Sequence, residues 1–197
     1  IVAMEPPARI DADELRDLKE HVVRATHLWG DDPARASRRA RYTAGRVGDR
    51  EVPDYTAEEG VDPARDTETL AQVVVEVRTN RWAGVPFVLR SGKALGRKRK
   101  EVRITFRDVR HVPDGLHGQQ GPDQLVVSLK PGPVELHLTM NATDPARIEQ
   151  KVLTTTVGAP DLLPYGEVLA GILDGDPLLT VRGDTAVRSW ELMDQVL

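Results

Sequence analysis

The segment from Arg90 to Arg103, RSGKALGRKRKEVR, concentrates positive charge around two glycines. Its cations are Arg90, Lys93, Arg97, Lys98, Arg99, Lys100 and Arg103, and its one acid is Glu101. A lysine is a compact cation on a long stem that can reach a phosphate or a sugar hydroxyl. Two interpretations are open: Lys93 and Lys98 converge on one anion, or the run is a solvated sheet edge whose charges oppose aggregation.

The residues on either side of this segment predict how it is positioned. VPFVLRS (85–91) and KEVRITFRD (100–108) are typical of strands, and the two glycines between them suit a tight reversal. We therefore predict a β-hairpin with Lys93 in a loop at one end of a sheet. Pro86 indicates a strand start or an edge position, because proline cannot donate a hydrogen bond to the ladder.

The sequence lacks the common nucleotide and metal motifs. No G-x-G-x-x-G follows a predicted strand, and the Gly-Lys pair fails the phosphate-loop pattern because Phe87 and Ala94 occupy two of its required positions. The chain has no cysteine, and no metal site is predicted from its histidines. The histidines, expected to be structural or solvent-facing, are His21, His27, His111, His117 and His137.

Composition limits the class of protein. The chain has 197 residues, 40% of them apolar, so it can bury a hydrophobic core. Its formal charge of −4 argues against a general nucleic-acid-binding protein and leaves open only a local, salt-dependent contact through Arg97–Lys100. No stretch reaches the roughly 20 apolar residues of a membrane span, so no membrane partner is expected and the cytoplasm is the default location.

The hydrophobic pattern predicts an α+β fold with a large, mainly antiparallel β-sheet and helices at the N- and C-terminal ends. Asp11 can cap a helix from about Ala12 to Leu28. Connections between most strands are too short for helical crossovers, so one sheet face can remain free. The predicted strands are 71–79, 85–91, 100–108, 124–131, 134–140 and 148–157; the C-terminal helices are 165–176 and 184–197, the second capped by Asp184 with Val187, Trp190, Leu192 and Met193 available for burial.

Residues 30–66 show little periodicity and are predicted to form a long ordered loop. Tyr42 and Tyr55 give this loop side chains to bury. Trp82 and Phe87 are predicted to be core or interface anchors, because aromatic residues are scarce in this chain.

Several longer segments resemble, in order, the C-terminal domain of glucose-6-phosphate dehydrogenase. They are RYTAG (41–45), VPDYTAEEGVDPARDTETLAQ (52–72), RWAGVPFVLRSGKAL (81–95), DQLVVSLKP (123–131) and LLTVRGDTAVRSWELMD (178–194). The opening VAMEPPARIDADELRDLKEHVVRA (2–25) resembles the family's junction between its two domains. The resemblance therefore assigns residues 1–197 to one substrate-binding and dimerisation domain.

The resemblance also implies site residues. Lys93 matches the lysine of the family's R-x-G-K motif that contacts the sugar phosphate, and Lys98 matches a second substrate-contacting position. Basic contacts of a structural NADP in mammalian members are matched by Arg90, Arg99 and Arg103. The sequence departs from that nucleotide site at Ser128, Leu136 and Leu138, so a second nucleotide is not expected.

The family oxidises C1 of glucose 6-phosphate and transfers hydride to NADP, or sometimes NAD, to give 6-phosphogluconolactone in the pentose phosphate pathway. Such chemistry needs a general base and a nicotinamide site, and the resemblance implies that both lie in an absent N-terminal region. No catalytic residue is therefore expected in this chain, and the fragment alone is predicted to be inactive. It would supply substrate contacts and a sheet that pairs subunits into a homodimer or a pair of dimers. The alternative is a non-catalytic sugar-phosphate-binding paralogue or a stand-alone interaction module.

Overall fold

The structure is a computed structural model, and it describes residues 1–97, 99–119, 121–158 and 162–197. The chain divides into two compact units, one of Ile1–Arg97 with Pro164–Leu197 and one of Lys98–Leu163. The predicted α+β class and mainly antiparallel pairing are confirmed. The strands are divided among a four-stranded sheet, a five-stranded sheet and a two-stranded ribbon.

Helix α1 (Ala12–Arg24) begins where the sequence predicts. Asp11 Oδ1 accepts a hydrogen bond from the Glu14 backbone N–H at 2.9 Å, which satisfies a free donor of the first turn. The predicted end near Leu28 is wrong, because Thr26–Leu28 form strand β1 and pair with Val75–Val77. Backbone pairing with a neighbouring strand has replaced the last helical turn.

The four-stranded sheet is built around β5 (Leu70–Val77). Strand β6 (Pro86–Gly92) covers one edge of β5, and β1 and β2 (Ser37–Ala40) share the other. Pro86 begins its strand, as predicted. One sheet face packs on the C-terminal helix, and this core consists of Leu28, Ala36, Val75 and Leu192 with Trp29, Val73, Phe87, Met193 and Val196 packed against them.

Residues 30–66 contain more regular structure than the predicted loop. They include α2 (Pro33–Ala36), β2 and a ribbon of β3 (Gly45–Val47) and β4 (Arg50–Val52). Strand β2 reads Ser-Arg-Arg-Ala and has no apolar alternation; it forms because β5 offers it an open edge. The predicted anchors are confirmed, since the half-buried rings of Tyr42 and Tyr55 meet edge to face with centroids 5.6 Å apart.

The second unit is a five-stranded sheet in the order β7-β9-β10-β11-β8. Its strands are β7 (Glu101–Thr105), β8 (His117–Gly118), β9 (Gln124–Ser128), β10 (Gly132–Asn141) and β11 (Arg147–Val157). Within the described residues every pairing of this sheet is antiparallel except β8 with β11. All six strands predicted from the sequence are present.

One face of this sheet is mainly apolar, with polar residues on β11, among them Glu149, Lys151 and Thr155. The strand register places Ile104, Leu125, Leu136 and Leu153 in one row across four strands, and Val102, Val127 and Val134 in the next. Leu153 is 59% exposed, so this apolar face remains open to contact. The opposite face carries polar side chains, among them Glu101, Arg103, Glu135 and His137.

The predicted hairpin between β6 and β7 is wrong. β6 pairs with β5 in the first unit, whereas β7 pairs with β9 in the second. Gly92 therefore ends β6, and Gly96 belongs to a connection between two sheets. Local sequence signals cannot distinguish such a connection from a hairpin loop.

Two helices close the first unit, α3 (Pro164–Asp174) and α4 (Gly183–Asp194). Asp184 is not the cap of α4, because Arg182 occupies that position and Asp184 bonds to it. Leu192 is buried as predicted, but Val187 and Trp190 are 58% and 70% exposed, so their predicted burial is wrong. Among the described residues, no helix combines the length and apolarity that a bilayer crossing requires.

Candidate functional site

Lys93 follows the last residue of β6, and the backbone around it is tightly placed. Its N–H donates to the Thr69 carbonyl oxygen at 2.8 Å. A Cβ on Gly92 would lie 2.8 Å from Leu70 Cδ1 and 3.2 Å from the Thr69 oxygen, so a larger residue would displace the Leu70 side chain and press on the Thr69 carbonyl. Ala94 then turns the chain through a left-handed φ of 51°. The exposed Lys93 side chain can receive an anion from solvent.

Thr69 connects this turn to a second segment. Its Oγ1 accepts a hydrogen bond from the Tyr42 N–H at 3.0 Å, and its own N–H donates to Ala40 O at 2.9 Å. Thr69 is 8% exposed. Among the residues that the structure describes, no other polar residue is buried. Sequence reasoning missed Thr69; the available signal was a polar residue directly before an apolar strand.

The Tyr42 side chain holds the 41–58 segment together. Its hydroxyl donates to Glu58 Oε1 at 2.9 Å, and its ring packs on Tyr55. Partial burial raises the pKa of the Tyr42 phenol, and the bond to Glu58 raises it further. The neighbouring Arg41 pairs with Asp66, with Arg41 Nη2 and Asp66 Oδ1 3.0 Å apart.

Arg90 lies on the face of the four-stranded sheet that points away from the core. Its Nε donates to Gln72 Oε1 at 2.8 Å, and its Nη2 donates to the same oxygen. Arg38 is the register partner of Gln72 on the other edge of β5, so the three side chains form a row across the sheet.

The other predicted cations belong to the second unit. Arg99 and Arg103 both face Glu101, at 3.7 and 2.9 Å, so that carboxylate partly neutralises them. Arg103 also donates to Gln124 at 2.8 Å. Lys98 lies outside the described residues, and its predicted convergence with Lys93 stays a prediction.

Two of the histidines lie beside carboxylates. His137 Nε2 lies 3.0 Å from Glu135 Oε2 on the polar sheet face, and His117 Nε2 lies 3.9 Å from Asp144. No group of metal-ligating side chains occurs within the described ranges.

A cleft of about 230 Å³ opens at the other end of the first unit, between α1 and the turn after β5. It is lined by Ala3, Glu5, Leu18, His21, Val22, Thr79, Asn80 and Arg81. Arg81 pairs with Glu5 at 2.7 Å, and Trp82 Nε1 donates to Ala3 O at 3.0 Å. The cleft contains none of the predicted site residues, and its Glu5 and Arg81 side chains pair with each other.

Comparison with known proteins identifies the fold and its family. The family model of the glucose-6-phosphate dehydrogenase C-terminal domain matches residues 1–197. The chain therefore belongs to this family of C-terminal domains, as the sequence resemblance predicted. The glucose-6-phosphate 1-dehydrogenases of Mycolicibacterium smegmatis and Gluconobacter oxydans are 34% and 33% identical to it over the whole chain.

Solved structures agree with this assignment. Glucose-6-phosphate 1-dehydrogenase from Mycobacterium avium matches 97% of the chain with a TM-score of 0.75 and 32% identity. A glucose-6-phosphate dehydrogenase in complex with its substrate glucose-6-phosphate matches 99% with a TM-score of 0.76 and 26% identity. The chain covers 41% of each of those two curated relatives, and 39% and 40% of the two solved chains.

Proposed function

We propose that this chain is the substrate-holding and subunit-pairing domain of a longer NADP-dependent glucose-6-phosphate dehydrogenase. The observation that carries the proposal is the match of the entire chain to the C-terminal domain of that family, together with its coverage of only about two fifths of the relatives. Glucose 6-phosphate is the expected ligand, and the solved relative in complex with that substrate supports it.

Lys93 is the residue of this chain that we assign to the substrate. An ammonium group beside a phosphate forms charge-assisted hydrogen bonds, which are about twice as strong as neutral ones. Gly92 and the bond from the Lys93 N–H to Thr69 fix the backbone from which this side chain extends. Lys98 is proposed as a second cation for the same phosphate. Both residues would hold the sugar so that its C1 stays aligned during the reaction.

We assign no structural nucleotide to this chain. Arg90 bonds to Gln72, and Arg99 and Arg103 share Glu101, so each of the three weak candidate contacts has a partner within the chain. NADP would accept hydride from C1 when it is bound, and we assign its binding to the part of the longer protein outside this chain. The general base is assigned to that part too.

The activity is tested with the protein encoded by the complete reading frame. We expect NADPH to form at 340 nm only when glucose 6-phosphate is added, and we expect the 197-residue chain alone to give no turnover. Turnover by neither protein would contradict the enzymatic proposal and favour a non-catalytic binding module.

The substrate contact is tested by Lys93→Ala in the same complete protein. The expected result is a KM for glucose 6-phosphate raised at least about tenfold, since one charge-assisted contact is lost. Lys130→Ala is the matched control, because Lys130 is an exposed lysine in the turn between β9 and β10 of the other unit. An unchanged KM for Lys93→Ala would remove this lysine from the site.

A further inference from the structure

Two loops of the first unit form hydrogen bonds with the same residue, Thr69. The Tyr42 N–H bonds to the Thr69 side chain at 3.0 Å, and the Lys93 N–H bonds to the Thr69 carbonyl at 2.8 Å. By the dimensions of a single residue, the two amide nitrogens lie within about 10 Å of each other. The start of the 41–58 segment and the Lys93 turn therefore sit side by side at one end of β5.

The Thr69 hydroxyl makes a hydrogen bond that strand formation does not require. Strand pairing uses its backbone, since its N–H donates to Ala40 O, and a valine side chain would suit a strand equally well. Thr69 is the buried polar residue among those that the structure describes. A buried hydroxyl costs little only when it is hydrogen-bonded, and the Thr69 hydroxyl accepts its hydrogen bond from the Tyr42 N–H.

We propose that Thr69 is a positioning residue, which sets the Arg41–Tyr42 segment against Lys93 so that the segment forms the second wall of the sugar-phosphate site. This inference rests on the proposed substrate role of Lys93. Gly92 lets the Lys93 turn lie directly on Thr69, and the Thr69 hydroxyl holds the other wall at a fixed separation. Arg41, with 36% of its side chain exposed and its guanidinium paired with Asp66 at 3.0 Å, belongs to that wall.

Nuclear magnetic resonance of the 197-residue chain provides the test. Glucose 6-phosphate is titrated into the wild-type chain, with inorganic phosphate and glucose as separate probes, and the amide shifts of Tyr42 and Lys93 are followed. We expect glucose 6-phosphate to move both amides with the same dissociation constant. A shift of the Lys93 amide with no response at Tyr42 would overturn the proposed second wall.

Two substitutions separate positioning from simple stability. Thr69→Val keeps the shape and removes the hydroxyl, and we expect it to weaken ligand binding about tenfold, because the Tyr42 N–H loses its partner. Hydrogen exchange at the Tyr42 and Lys93 amides should accelerate together. Thr69→Ser keeps the hydroxyl and should restore both properties to within about twofold of wild type. Equal weakening by both substitutions, or a Thr69→Val variant with unchanged affinity, would overturn the inference.

The same design separates this inference from the proposed function. If the wild-type chain binds neither phosphate probe, the substrate role is contradicted for this chain, and with it the inference about a sugar-phosphate wall. In the complete protein, Thr69→Val should raise the KM for glucose 6-phosphate and leave kcat nearly unchanged, which a general loss of folded enzyme would not do. A fall in kcat with KM unchanged would contradict positioning.

Discussion

At the residue scale, the Tyr42 hydroxyl joins two points of the 41–58 segment through its bond to Glu58. We expect Tyr42→Phe to lower the urea midpoint of unfolding, because Glu58 loses a hydrogen-bond donor in a partly buried position. Tyr55→Phe is the control, since it keeps the ring contact of 5.6 Å between these two residues. Equal midpoints for the two variants would contradict a stabilising role of the Tyr42 bond.

The raised pKa of Tyr42 can be followed by absorbance. The raised pKa of Tyr42 means that its phenol ionises later than an ordinary tyrosine as the pH increases. The stability that the phenol contributes is therefore present below pH 10 and is lost as the pH rises through the higher folded-state pKa. In an absorbance titration at 295 nm, we expect a component that ionises above the ordinary tyrosine range to disappear in Tyr42→Phe and to persist in Tyr55→Phe.

The residues that could be predicted from the sequence are those whose role depends on their own chemistry. Lys93 could be placed after a strand and next to a glycine from local pattern alone. Thr69 could not be recognised, because its importance comes from Ala40, Tyr42 and Lys93, which are distant in sequence. The pairing of Arg103 with Gln124 likewise depends on strand register, which the sequence leaves open.

At the scale of elements, α3 and α4 differ in how much the fold depends on them. Leu192 of α4 is 7% exposed and belongs to the core, whereas Leu173 of α3 is 86% exposed. We expect Leu192→Ala to reduce the free energy of unfolding by about 2–4 kcal/mol, because it leaves a cavity. Leu173→Ala should change it by less than about 0.5 kcal/mol. Urea denaturation of both variants checks this contrast, and similar losses would contradict the assigned packing.

A cluster of ionic groups links α1 to the start of α4. Arg182 pairs with Asp184 at 2.5 Å and also with Asp17, and the Arg182 guanidinium lowers the pKa of Asp184 to about 2. Because this folded-state pKa lies below the ordinary value of 3.8, the contribution is present above about pH 4 and is lost as the pH falls toward 2. Wild type should therefore lose more stability than Asp184→Asn between pH 5 and pH 2.5, measured by urea midpoints. Parallel pH profiles of the two proteins would contradict this linkage.

The sequence predicted strands correctly where apolar residues recurred over enough positions to show the alternation of a strand. All six strands of the sequence analysis are present, whereas the unpredicted strands β1, β2, β3, β4 and β8 have two to four residues each. Such short strands form because a neighbouring edge is available, and that information is not local. The wrong hairpin has the same origin, because the glycines that end β6 do not reveal which sheet receives β7.

At the scale of the whole molecule, the accessible surface is larger than the area expected for two compact units of these sizes. The accessible surface is 14702 Å², whereas two separate compact units of these sizes would expose roughly 11,000 Å² in total. A standard protein interface covers about 800 Å² on each partner, so the excess can serve more than one contact. This surface agrees with the proposed place of the chain in a longer, oligomeric protein.

The apolar face of the five-stranded sheet is the surface that we predict to pair two copies. Leu153 lies in its central row at 59% exposure, and Thr154 is the next residue of β11, exposed on the opposite face. Leu153→Lys places a charge among Ile104, Leu125 and Leu136 and should make the chain monomeric in sedimentation equilibrium, because a buried unpaired charge is costly. Thr154→Lys adds the same charge to the same strand and should leave the oligomer intact. A dimer that survives Leu153→Lys, or one that is lost only in Thr154→Lys, would place the subunit contact elsewhere.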